Sequence, residues 1–266
     1  MSGKEMPHPR PIAILTYHSL DDSGSVLSTP PRVFAEEMRI LHELGVRVGP
    51  LGEVRRMLGG LAPSESLITI TFDDGFKSVY EHGLPVLKQY AFSATVFLVT
   101  DYCGKTNSWP GQPGYVERRP LLGWAEVKEM SEEGISFGSH TRTHPDLRTL
   151  ASHHVEEELV CSKRAIEDAI GRPIEALAYP YGAHNMTAKH LAEQHFAMAC
   201  SARLGFVRQG ADLFALDRLD TFYLPRPAFF RRLFSRELDV YIRLRRKVRD
   251  LRGRVPEWLS SSLQGC

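Results

Sequence analysis

Two carboxylates stand side by side at the end of a short β-branched run, Leu67-Ile68-Thr69-Ile70-Thr71-Phe72-Asp73-Asp74-Gly75. Adjacent ionised Asp side chains repel each other, so a site that keeps both charged must supply a cation or hydrogen-bond donors. Gly75 allows a sharp turn just after them, which frees Asp73 and Asp74 from the opposite-face geometry of a continuing strand. Alone, Asp-Asp-Gly is equally an ordinary turn or helix cap. Further along, Ser139-His140-Thr141-Arg142-Thr143-His144-Pro145-Asp146 places two histidines four apart just after another apolar segment. On one helical turn that spacing points both imidazoles the same way, and two His with one carboxylate make a metal site with open positions. Asp74 is the third ligand this reading selects. A lone His pair is more often surface histidine in a chain with 11 of them. A second strand end carrying Asp-Asp-Gly tips the balance toward a metal.

The elements that must present these residues read as alternating strands and helices. Strands are expected at 11–17, delivering His18, at 67–72, 94–99, 135–138, 176–178, 197–201 and 216–219. Helices are expected from Ser28-Thr29-Pro30-Pro31 to Gly45, with Ser or Thr as cap, and over 51–58, 78–90 with Pro85 early or at a bend, 124–134, 152–170 and 187–195. The loop at 103–114 reads as too irregular for packed core and suits a substrate border. Seven strand-helix alternations imply a parallel sheet with crossover helices. Without Gly-x-Gly-x-x-Gly after the first strand, a closed barrel fits better than a dinucleotide-binding sheet, and barrel chemistry gathers at the carboxyl ends of strands.

At 266 residues and 42% hydrophobic, the chain can bury one sizeable α/β core. Its 4 cysteines form no Cys-x-x-Cys pair and read as reduced thiols. The polar, proline-rich start lacks the apolar core of a secretory signal, so the expected compartment is cytoplasmic, with peripheral contact at the inner membrane face as an extension. Net charge is +1, but residues 226–266 hold 11 Lys and Arg against 4 Asp and Glu, leaving 22 against 28 before them. An apolar stripe of Phe230, Phe234, Leu238, Tyr241, Leu244, Val248 and Leu251 faces away from Arg232, Arg236, Arg243, Arg246 and Arg249 on an expected helix. That helix docks on its own domain or a second subunit, or lies on an anionic membrane. The basic residues lack interleaved base-stacking motifs, so no nucleic-acid partner is expected.

Thr71-Phe72-Asp73-Asp74-Gly75, Ser139-His140-Thr141-Arg142-Thr143-His144 and Tyr179-Pro180-Tyr181-Gly182 resemble the first three motifs of the polysaccharide deacetylases, the NodB-type domain of carbohydrate esterase family 4. The resemblance covers about residues 11–225, between a flexible start at 1–10 and the basic helical tail at 226–266. It implies a distorted (β/α)7 barrel with a C-terminal helical extension, and a metal-dependent hydrolase that removes N-acetyl groups from amino sugars. Zinc is the first choice of metal, with cobalt, nickel or iron as alternatives. Carried over residue by residue, it makes Asp74, His140 and His144 the ligands, Asp73 the general base and the Tyr181 backbone amide an oxyanion donor. Two positions depart from the family. Ala178 stands where an orienting Arg is usual, and no histidine follows His195 to supply the late acid. The Tyr17-His18 strand and Ala178-Tyr179-Pro180-Tyr181-Gly182 resemble the poly-N-acetylglucosamine deacetylase subgroup, in which the N-terminal strand carries the acid. His18 is accordingly the candidate acid. Arg218 is the candidate replacement cation, against the plainer reading of a structural ion pair.

Trp109, Tyr179 and Tyr181 are candidates for a sugar platform, whereas Trp124, spaced with Val127 and Met130, reads as core. Three rival functions stay open: hydrolysis of another C–N or O-acetyl bond, a catalytically decayed glycan-binding protein, and an iron facial triad. The last has no use for a base beside its ligand.

Overall fold

A computed structural model describes residues 12–60, 66–112, 114 and 116–252. The expected flexible start and the last part of the basic tail, 253–266, lie outside the described residues. The seven principal strands are β1 (Ile12–Tyr17), β5 (Leu67–Phe72), β6 (Ala94–Leu98), β7 (Ser136–Ser139), β8 (Ala176–Ala178), β9 (Met198–Leu204) and β10 (Leu216–Asp220). All pair in parallel in that order, and β1 then closes the ring by pairing with both β5 and β10. The result is the expected (β/α)7 barrel. Three short strands, β2 (Ser19–Leu20), β3 (Ser28–Thr29) and β4 (Arg47–Val48), stand outside it, and β4 pairs only with the first residues of β5.

Strand alternation divides the core into two shells. Ile12, Ile14, Leu67, Phe97, Ala178, Cys200 and Leu216 form the inner one. Ala13, Leu15, Tyr17, Ile68, Ile70, Phe72, Val96 and Leu219 face outward to the helices. The same period of two carries Thr69 and Thr71 toward the barrel axis and puts Asp73 next at its mouth. On β10 it places Arg218 on the inward row with Leu216. A seven-stranded ring is narrow, and small residues make room for Phe97. A Cβ on Gly138 would lie 2.6 Å from the Phe97 ring and 2.8 Å from the Ala176 carbonyl.

The outer layer contains α1 (Pro31–Glu43), α2 (Gly52–Gly59), α3 (Leu84–Gln89), α4 (Trp124–Glu132), α5 (Ser152–Ile170), α6 (Met186–His195) and α7 (Arg236–Arg252). Several expectations need correction. Ser28 and Thr29 do not cap α1. They pair with Ser19 and Leu20, and Pro30 takes the capping position without a side-chain bond. The 78–90 segment opens as a π-helical turn, Val79–Gly83, that runs directly into α3, and Pro85 sits early in α3 as expected. The tail stripe also divides. Phe230 and Leu238 are buried together with Ile242, whereas Leu244, Val248 and Leu251 are exposed.

Replacing Gly138 with Ala is expected to overpack the barrel and cost about 1–3 kcal/mol. Urea unfolding checks this: the midpoint falls, with little change in the slope.

Candidate active site

Asp73 and Asp74 leave β5 as neighbours yet serve different partners. The backbone enters the left-handed region at Asp74 (φ 69°) and stays there at Gly75 (φ 72°), turning the two carboxylates apart. A side chain on Gly75 would come within 2.7 Å of Leu98 Cδ2, so the turn also needs glycine for space. Both carboxylates are buried. Arg218 Nη1 and Nη2 each donate to one oxygen of Asp73 at 2.7 Å, a two-pronged pair, and Arg218 Nε donates to the Ser201 carbonyl at 2.8 Å. Burial by itself would raise the Asp73 pKa, but the charges of Arg218 and His140 hold it well below the usual carboxylate range.

Asp74 faces the histidines. Its Oδ1 lies 3.4 Å from His140 Nε2 and 3.5 Å from His144 Nε2. One donor atom from each of the three buried residues falls within 4.8 Å of the others. The separations of 3.4 and 3.5 Å are long for hydrogen bonds. They match two ligands each about 2.1 Å from a tetrahedral ion, whose donors stand roughly 3.4 Å apart. His140 Nδ1 donates to the Ala178 carbonyl at 2.7 Å, which fixes the ring with Nε2 toward the cluster; against the effect of burial, the Asp74 contact and the charges of Asp73 and Asp74 raise its pKa, and an ion in the cluster would take the place of the Nε2 proton. Burial and the charge of the neighbouring His140 push the His144 pKa down to about 3, so that ring is a neutral donor. The residues present fit a divalent metal.

The histidines do not lie on a helical turn as the four-residue spacing suggested. Residues 140–146 form an irregular loop, with Thr141 at φ 67° and His144 at φ 61°. The rings converge because the loop is clamped. Glu158 of α5 accepts from Arg142 N and Thr143 N, both at 2.8 Å, and from Thr143 Oγ1 at 2.7 Å. Ser139 Oγ is bonded to Ser162 of α5 at 2.6 Å and accepts from Thr141 N. From the other side, Thr100 N and Asp101 N donate to the carbonyls of Thr141 and Arg142. Glu158 escaped the sequence reading because it is one of several glutamates on α5, and only its buried, inward position marks it.

His18 follows β1 directly, is half-buried, and lines the same cavity of about 250 Å³ as Asp73, Asp74, His140, His144 and Arg218. Tyr181 lines the cavity too, 51% exposed, its ring 4.7 Å from that of His144, in a Pro180–Gly182 turn at φ 58°. Of the other aromatic candidates, Tyr179 is buried, donates to the Phe214 carbonyl and stacks on His184, so it is no sugar platform. Trp109 is buried too, so the 103–114 loop does contribute packed core, yet its ring lies 4.5 Å from that of His144 and lines the same cavity. Trp124 packs against the core.

The sequence model described as polysaccharide deacetylase matches residues 61–198. The chain belongs to that family. YxkH of Bacillus subtilis is 30% identical over 213 residues, 79% of this chain and 71% of that protein. The poly-beta-1,6-N-acetyl-D-glucosamine N-deacetylase of Staphylococcus epidermidis is 33% identical over 138 residues, 47% of this chain and 44% of its own length. The match thus spans less than half of that enzyme. Among solved structures, Streptococcus pyogenes deacetylase PplD, in complex with acetate, superposes with a TM-score of 0.75 at 24% identity, covering 86% of this chain and 100% of that one. IcaB from Ammonifex degensii gives 0.70 at 24% identity, over 84% and 97%. Both show the shared fold.

Glu158→Ala is expected to loosen the histidine loop and lower metal affinity about 10–100-fold, with the fold retained. Competition against a chromogenic chelator measures it; unchanged affinity would mean that the contacts with Thr100 and Asp101 alone hold the loop.

Proposed function

We propose that the protein is a metal-dependent de-N-acetylase acting on N-acetylhexosamine units of a glycan, with Asp74, His140 and His144 holding the ion, zinc by preference. The observation that carries the reading is the division of labour between adjacent carboxylates: Asp74 faces two imidazoles while Asp73 is committed to Arg218, and both line one cavity with His18. An ion held there supplies Lewis acidity for the acetamide carbonyl and the attacking water.

The protein's own groups do the rest. Asp73 accepts the proton of the attacking water, and Arg218 keeps it ionised and oriented while lowering its basicity. The Tyr181 backbone N–H supports the oxyanion that forms as the carbonyl is attacked. His18 then gives a proton to the departing amine, since it reaches the same cavity from the end of β1 without belonging to the metal cluster. This assignment leaves no vacancy at Ala178: its carbonyl orients His140, and the cation that the family places there comes instead from β10.

Acetate release from N-acetylglucosamine oligomers tests the reading. Metal-loaded wild type is expected to release acetate, and Asp73→Asn to keep its metal without turnover. His18→Gln should lower kcat by about 10²–10⁴-fold. Stoichiometric metal with no acetate from any oligomer would redirect the chemistry to another acyl substrate, and acetate release by Asp73→Asn at the wild-type rate would remove Asp73 as base.

The exposed face of α7 supports peripheral membrane contact. Leu238 and Ile242 dock inward. Val240, Leu244, Val248 and Leu251 are exposed at helical spacing, with Arg236, Arg243 and Lys247 on the same face. Among the described residues no helix is long and apolar enough to cross a membrane. Sedimentation with anionic vesicles is expected to bring down wild type, neutral vesicles to bring down little, and Leu244→Ser with Val248→Ser to abolish the effect.

A further inference from the structure

A second cavity of about 280 Å³ opens beside the catalytic one and shares His18, Val26, Leu27 and Asp220 with it. Its wall comes from the β2–β3 excursion, the start of α1 and the 220–225 segment after β10. None of these carries a family motif, and the chemistry described above uses none of the groups that only this cavity presents. Three features suit it to a sugar ring. Phe222 lines it while 57% exposed, which leaves an aromatic face open to a ligand. Glu37 lies in its floor, 2% exposed, with Tyr17 Oη donating to its Oε2 at 2.7 Å. Hydroxyl-bearing Ser28 and Thr29 complete the polar edge.

The charge of the lining narrows the occupant. Glu37 and Asp220 line this cavity, and neither Lys nor Arg does. A phosphate or a uronate would meet two carboxyl groups there and neither Lys nor Arg. Burial pushes the Glu37 carboxyl up to about 8, even against the hydrogen bond from Tyr17, so at neutral pH it is largely protonated. A neutral carboxyl both donates and accepts, which matches a sugar hydroxyl, and it adds no buried anion to desolvate. Phe222 offers the apolar surface on which the C–H face of a pyranose packs. The continuity of the two cavities through His18 and Asp220 decides between a separate ligand and a longer one.

We infer that this cavity is a second sugar subsite, holding the pyranose next to the one being deacetylated, with Phe222 beneath the ring and Glu37 and Thr29 facing its hydroxyls. The inference rests on the de-N-acetylase reading and narrows it: the substrate is a chain of at least two neutral hexosamine units, and residues outside the family motifs read its length.

The test is the dependence of kcat/KM on chain length, with metal-loaded protein and N-acetylglucosamine monomer, dimer, trimer and tetramer. Wild type is expected to gain at least tenfold from monomer to dimer or trimer. Phe222→Ala, at an exposed position that folding does not depend on, should reduce the trimer-to-monomer ratio of kcat/KM about tenfold, mainly through KM. Glu37→Gln, which keeps both donor and acceptor, should retain most of the ratio, and Glu37→Leu should lose it. A wild-type ratio near one, or a ratio that Phe222→Ala leaves unchanged, overturns the subsite while leaving the deacetylase standing. No acetate from any length, with metal bound, overturns the parent reading and the subsite with it.

Discussion

Two adjacent, buried carboxylates at the end of one strand are the constraint on which this structure depends. Asp73 and Asp74 are both nearly closed to solvent, and two such charges can stay ionised only if each is met separately. The left-handed turn at Asp74 and Gly75 makes that separation possible by directing one carboxylate across the barrel and the other along its rim. Across the barrel waits Arg218, delivered by the inward row of β10. Along the rim wait two imidazoles from the loop after β7. A closed ring is what brings β10 to β5's side, through β1, although Asp73 and Arg218 are 145 residues apart in sequence.

The cost of this arrangement is visible in the backbone. Of the five non-glycine residues with positive φ among those described, Asp74, Thr141, His144 and Tyr181 all belong to the site, and only Ala91 does not. Such conformations persist where surrounding contacts determine them. Here the contacts can be named. Glu158 of α5 holds the Arg142 and Thr143 amides, Ser162 bonds the Ser139 hydroxyl that accepts from Thr141 N, and Thr100 and Asp101, just past β6, hold the Thr141 and Arg142 carbonyls from the other flank. At the Tyr181 turn, Gly182 sits so close to Ala202 that a Cβ would fall 2.2 Å from its backbone nitrogen. The barrel therefore supplies position, and the outer helix supplies rigidity.

This division explains what the sequence could reveal. The ring of parallel strands was legible because β-branched runs and glycine-bounded helices repeat regularly, and strand ends place His18, Asp73 and Asp74 without further information. The three residues that spacing nominated for a metal do converge. The reason offered for the histidines did not hold, however: four residues on a helical turn and four residues in a kinked loop read identically in one dimension. Glu158 and Glu37 were invisible for a related reason. Each looks like a surface glutamate on an amphipathic helix until packing places it on the inner side. The tail misled in the opposite way: Phe230 and Phe234 precede α7, and the stripe residues on that helix divide between a docked face at Leu238 and an exposed one at Leu244, Val248 and Leu251.

Arg218 also bears on how a strongly paired carboxylate can serve as a base. A guanidinium bonded to both oxygens stabilises the anion and makes protonation less favourable. Against ordinary water such a group would be ineffective, because the proton would have to move far uphill. It becomes useful only where the water itself is acidified, which requires a strong electrophile beside it. Among the described residues, the Asp74, His140 and His144 cluster is the one place in the cavity that could hold such an electrophile. With Asp73 proposed as the base, that base and the metal cluster imply each other: Arg218 secures an ionised, fixed Asp73 at the expense of basicity, and the neighbouring donors make that expense tolerable. A glycan-binding protein with a decayed site would have no reason to maintain both halves of this bargain within one barrel mouth.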